Sequence, residues 1–183
     1  NSLLTTILSL CPFPMQPPNI ELDLAYHFDL PAFGLRNTPD GRFEQAAQWI
    51  AEQFELRRLY CSLAIVDDPT MRELNAERLG HDWSTDVISF EIDATDDEVE
   101  GEVIASAETA LRTCTAAGWS AGDELLLYVV HGLLHVVGLD DIDEQARQQM
   151  RAMEQACLLA VGVEQASQHL ARWDAIAHSE ADE

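Results

Sequence analysis

His131-Gly132-Leu133-Leu134-His135-Val136-Val137-Gly138-Leu139-Asp140-Asp141 decides how this chain is read. Side chains four apart on a helix lie one above the other, so a helix here brings the imidazoles of His131 and His135 to one point in space. Gly138 follows three residues later, where a left-handed residue ends a helix and turns the chain back. That reversal returns Asp141 toward the two histidines. Two imidazoles and a carboxylate with a fourth position open form the ligand set of a catalytic zinc ion, whereas structural zinc sites close all four positions. A histidine pair alone is a weak sign, because buried, hydrogen-bonded histidines are common; the ordered glycine and carboxylate after it carry the reading.

Working outward, the run from Leu125 to Val130 is apolar nearly all round, which predicts a buried helix that holds its histidines rigidly. Ser120 and Asp123 read as a capping box at its start, and it extends to about Val137. Ahead of it, alternation over 20–28 predicts a strand, and 37–41 a turn-rich loop. Phe43, Ala47, Ile50 and Phe54 recur at helical spacing and predict a helix over 42–56. Residues 59–66 read as a second strand and 69–78 as a short helix with Pro69 in its first turn. Two further strands are expected at 87–92 and 102–106, joined by the acidic stretch 93–100 as a hairpin loop, with a helix over 108–117 after them. Ile142, Ala146, Met150, Met153 and Cys157 mark the apolar stripe of a last long helix. The sum is one α+β domain, a small mixed sheet of about four strands covered by five or six helices, with a metal-binding helix of the zincin kind. Its expected extent is 19–173, after a flexible extension over 1–18 and before a loose acidic tail over 174–183.

The composition narrows the partners. With 183 residues and a net charge of −23, the chain repels nucleic acid and anionic membranes on average. All ten basic residues are arginines, so any contact with RNA needs a local arginine or the charge of the metal itself. No run of eighteen apolar residues exists, and no transmembrane helix is expected. No basic residue precedes the apolar stretch 3–10, which argues against a secretory signal. Cys11, Cys61, Cys114 and Cys157 are widely spaced without a CxxC pair, and read as small buried hydrophobes in a reducing, cytoplasmic compartment.

The segment from His131 to Asp141 resembles the metal motif of the YbeY family of ribosomal RNA maturation factors. Thr85-Asp86-Val87-Ile88-Ser89-Phe90 resembles that family's strand motif, Gly101-Glu102-Val103-Ile104-Ala105-Ser106 its next strand, and Leu74-Asn75 the helix before them. The resemblance runs in order over roughly residues 60–160. It implies a zinc-dependent endoribonuclease, specific for single strands, that acts in maturing the 3' end of small-subunit ribosomal RNA and in ribosome quality control. It also implies one zinc ion per chain, held by His131, His135 and Asp141, and the ribosome or its proteins as partners.

Two departures from the family pattern matter. The family usually places a third histidine where this chain has Asp141. A carboxylate oxygen is an acceptable zinc ligand, but its charge weakens the metal as a Lewis acid, so activity is expected at higher pH. The family also commonly places an aromatic and then an arginine shortly after the Leu-Asn pair; here those places hold Arg78 and Leu79. Arg78 is therefore the candidate phosphate contact, one residue out of register, and with His131 completes the expected catalytic pair. Asp140 is expected to cap the next helix or to support a ligand, Asp86 and Ser89 to support the site or bond within the core, and Glu124 to favour the helix N-terminus rather than to serve as base.

Two other functions fit parts of the pattern. H-x-x-x-H-x-x-G-x-x-D matches a metzincin-like metalloprotease, but the general base of that class is a glutamate where this chain has Gly132. A non-catalytic, zinc-containing ribosome assembly factor would turn its acidic surface toward basic ribosomal proteins. Nickel, cobalt and iron also suit the ligand set.

Overall fold

The computed structural model describes residues 17–27 and 41–168. Strand β2 (Arg58–Val66) is the spine of the sheet: Leu59, Cys61, Leu63 and Ile65 are buried on one face, with the period of two that a strand imposes. β1 (Asn19–Tyr26) pairs parallel to β2 on one side, and β4 (Glu98–Ser106) pairs parallel to it on the other. β3 (Val87–Ala94) runs antiparallel to β4 and forms the edge, giving the order β1-β2-β4-β3.

Helices α1 (Arg42–Gln53), α2 (Asp68–Leu79), α3 (Ala107–Ala117), α4 (Ala121–Val136) and α5 (Glu144–Ala160) complete the α+β fold, followed by a short 3-10 turn, Glu164–Gln168. α1, α3, α4 and α5 share one core with Leu59, Leu63 and Val103 on one face of the sheet. α2 takes the other face, where Met71 packs with Val66, Ile88 and Ile104. The four-stranded mixed sheet and helical cover are those expected from the sequence.

Several boundaries differ for local reasons. α1 stops at Gln53 because Glu55 turns left-handed (φ 54°), which lets the Leu56 N–H reach the Ala51 carbonyl and buries Leu56. The acidic stretch 93–100 is mostly strand: β3 and β4 extend into it, and only three residues, 95–97, turn. Ile142 is 81% exposed and precedes α5, whose N-cap is Asp143, accepting from the Ala146 N–H. The expected extension (apart from 17 and 18), the loop 37–41 (apart from Gly41) and the tail lie outside the described residues.

α4 behaves as its sequence requires. Ser120 caps it, accepting from the Asp123 N–H. From Glu124 to Val136 every residue is buried except His131 and His135, which are half-buried on one open stripe. Gly132 lets the helix settle on the sheet. A Cβ there would lie 2.7 Å from Val103 and 3.1 Å from Val87, closer than packed carbons approach.

Candidate metal centre

The turn after α4 fixes the second histidine. Gly138 adopts φ 95°, its N–H bonds the His135 carbonyl at 2.9 Å and the Leu139 N–H bonds the Leu134 carbonyl at 3.0 Å, the paired bonds of a Schellman ending. The same turn points the Leu139 carbonyl at His135, whose Nδ1 donates to it at 2.9 Å. With its proton on Nδ1, the ring keeps a bare Nε2 for a ligand.

His131 is fixed from another helix. Its Nδ1 lies 2.6 Å from Oε1 of Glu154, a residue of α5 that is 1% exposed. In the neutral ring that bond leaves Nε2 bare here too. Burial, the largest single influence, opposes a charged ring, but the hydrogen bond and charge of Glu154, with Asp86 and Asp141 beyond it, outweigh burial and raise the pKa of His131. The two rings meet edge to face, and their Nε2 atoms are 3.0 Å apart.

Asp141 completes the set. Its backbone is clamped on both sides: Asp140 Oδ1 accepts from the Asp141 N–H at 2.7 Å, and Arg147 donates to the Asp141 and Ile142 carbonyls. Asp140 thus shapes the turn that presents Asp141, and the helix cap falls to Asp143. The Asp141 oxygens stand 3.9 Å from each histidine Nε2, and one ligand atom from each residue fits within 4.8 Å. Ligands on a tetrahedral ion with bonds near 2.1 Å sit about 3.4 Å apart. The spacings of 3.0 and 3.9 Å bracket that value, so the three residues fit a metal ion with small side-chain adjustments. All three remain partly exposed, which keeps one side of the site open.

The other candidates lie elsewhere. Arg78 is paired with Glu102, and its guanidinium lies 5.4 Å from the Phe90 ring centre. Phe90 belongs to the α2 face of the sheet, opposite the face that carries α4, so the fold separates Arg78 from the histidines. Asp86 folds its own loop, accepting from Thr85 and from the Val87 N–H, and sits near enough to His131 to act on its charge. Ser89 pairs with Val103, in strand register two residues on from Val87. Glu124 is fully buried in the first turn of α4, where the Thr113 hydroxyl donates to it at 3.3 Å. Thr113 also shares a 2.7 Å hydrogen bond with the Tyr128 hydroxyl, whose pKa burial pushes up. Cys61 and Cys157 are buried thiols with pKa values pushed up to about 12 by burial, as inert hydrophobes should be.

Sequence reasoning missed Glu154. A signal was present: the residue falls four after Met150 and four before Leu158, in the buried stripe of α5. A carboxylate in an apolar stripe needs a partner, and the distant partner is His131.

Fold and site together define a class: an α+β domain whose buried central helix offers two histidines and a following aspartate to a metal. Comparison narrows this. The family model for Endoribonuclease YbeY matches residues 36–162. The chain is 41% identical over 134 residues to an Endoribonuclease YbeY of Rhodopirellula baltica, covering 72% of this chain and 69% of that one. To an Endoribonuclease YbeY of Salinibacter ruber it is 33% identical, covering 79% of this chain and 96% of the relative. A solution structure of a Thermotoga maritima protein superposes with a TM-score of 0.54 over 80% of this chain and 93% of the other, at 17% identity, a likeness of fold. The chain belongs to the YbeY endoribonuclease family. No helix among the described residues is long and apolar enough to cross a membrane.

Proposed function

We propose that this protein is a zinc-dependent endoribonuclease that hydrolyses phosphodiester bonds in single-stranded RNA. We further propose that it acts in maturing the 3' end of small-subunit ribosomal RNA and in ribosome quality control, in the cytoplasm. The observation that carries the reading is the convergence of His131, His135 and Asp141 within 4.8 Å, on an open side of an otherwise buried helix, in a chain of this family. A zinc ion held by His131, His135 and Asp141 would supply Lewis-acid chemistry, activation of water and an offset to charge on phosphoryl oxygens.

The chain's own residues do the rest. Glu154 and the Leu139 carbonyl hold both imidazoles in the tautomer that offers Nε2. Asp140 and Arg147 hold Asp141 in place. Arg78 is proposed as a contact to the phosphate backbone away from the reacting bond, reached by RNA that passes round the β3 edge; Glu102 competes for it there. Peptide hydrolysis is disfavoured at Gly132, where the base of a metzincin would stand and no side chain fits. The acidic surface suits basic ribosomal proteins as partners.

Metal content per chain, measured in untagged protein beside His135→Ala, tests the site; one zinc ion per wild-type chain and loss in the variant is expected. Cleavage of unstructured RNA by the same wild-type protein, lost in His131→Ala with the fold intact, tests the activity. Zinc binding and ribosome association without any cleavage would replace this reading with that of a non-catalytic assembly factor.

A further inference from the structure

We propose that the loop between α2 and β3 carries a stacking site for an unpaired nucleobase of the RNA strand, with the indole of Trp83 as its platform; this rests on the RNA-cleaving reading above. Trp83 is 58% exposed, yet the loop around it is tied down. Asn75, a buried residue of α2, donates to the Trp83 carbonyl at 2.8 Å. Asp82 receives two hydrogen bonds from Arg72, at 2.7 and 2.9 Å, and Ser84 donates to Asp68 at 2.9 Å. The His81 ring lies parallel to the indole, with centroids 4.5 Å apart and planes 11° apart. A large aromatic is thus held in water, one ring of an existing stack, beside an open cleft of about 660 Å³ lined also by Pro69, Ser84, Arg72 and the carboxylates of Asp68 and Asp82, which are paired with Arg112 and Arg72. Proteins that bind single strands without reading sequence use aromatic platforms of this kind, since every base has a π face.

Among the described residues, the charge pattern favours stacking as a mode of recognition. Arg42, Arg57, Arg58, Arg72, Arg78, Arg112 and Arg147 each pair with a carboxylate, and Arg151 is engaged as well. A phosphate must compete for every one of them, in a chain of net charge −23. A base on an aromatic face needs no free cation. Position agrees. The loop ends at Val87, whose side chain borders Gly132, the residue after His131. Trp83 stands four positions before Val87, a span of at most about 14 Å. The proposal places a base on Trp83 in the same single strand whose phosphate reaches the metal site.

The test is steady-state cleavage of a fluorescent single-stranded RNA oligonucleotide by zinc-loaded wild type, Trp83→Ala and Trp83→Tyr, with thermal melts to check the fold. Anisotropy binding of the same strand, with and without abasic positions, is measured in a His135→Ala background. Trp83→Ala is expected to raise KM about ten-fold with kcat unchanged, and Trp83→Tyr to recover most of the loss. Abasic substitution should weaken binding when Trp83 is present and add nothing when it is absent. An unchanged KM in Trp83→Ala, with wild-type cleavage intact, rejects the stacking site and leaves the nuclease reading standing. If that variant instead loses only association with ribosomal proteins, the aromatic pair is a protein contact and the proposal fails. No cleavage and no binding of RNA by wild type rejects both.

Discussion

Glu154 on α5 and His131 on α4, 23 residues apart in sequence, share a 2.6 Å hydrogen bond that sets which nitrogen of the histidine faces His135 and Asp141. Its force comes from burial: Glu154 is 1% exposed, so its carboxylate is screened little and holds the ring as a charge-assisted acceptor.

Glu154→Ala is therefore expected to weaken metal binding by about 10- to 100-fold, the usual effect of removing a carboxylate behind a ligating histidine. Glu154→Gln keeps an acceptor oxygen without the charge and should recover part of the loss. Competition against a chromophoric chelator reads both. Equal affinity in all three proteins would mean that packing alone orients the ring.

Asp141 brings a negative charge where a third imidazole would bring none. Asp141→His should make the metal a stronger Lewis acid, and the rising limb of the pH–rate profile should move to lower pH. The profile is measured on variants with matched zinc content. An unmoved limb would show that the third ligand does not set the acidity of the site.

Gly132 is where α4 touches the sheet, and the nearest atoms to an added Cβ are the branched ends of Val103 and Val87. Gly132→Ala is expected to destabilise the fold by about 1–3 kcal/mol through overpacking, read as a lower urea midpoint. Val103→Ala in the same chain should relieve part of the cost, since it removes the atoms that collide.

Asp68 gathers hydrogen bonds from Ser84, Ser106, Thr109 and Arg112, joining the starts of α2 and α3. Burial, the largest influence, would raise its pKa, but those donors outweigh it and hold the carboxyl at about 2, below its ordinary 3.8. A carboxylate depressed in the fold stabilises it above the unfolded value and loses that contribution as pH falls through the folded one. Unfolding midpoints should therefore decline between pH 4 and 2. Asp68→Asn should be less stable at neutral pH by about 1 kcal/mol, after allowance for solvent screening, and should show less of that decline.

The sequence by itself determined what is local. The spacing of His131 and His135, the left-handed Gly138 and the returning Asp141 depend on helix geometry and one turn, and all appear as read. The order of strands and helices followed from apolar periodicity, and the cap at Ser120 from one side chain three residues from its target. Only the tertiary structure decided what crosses between elements. Glu154 and His131 meet because α5 packs on α4. Arg78 falls on the α2 face of the sheet because strand alternation sends Phe90 and Glu102 away from α4. The acidic stretch became strand because β3 and β4 extend their ladder through it, where composition alone favours a loop. Local geometry is written in short windows of residues. Which faces meet is settled by the summed burial of distant segments, and no single window contains that sum.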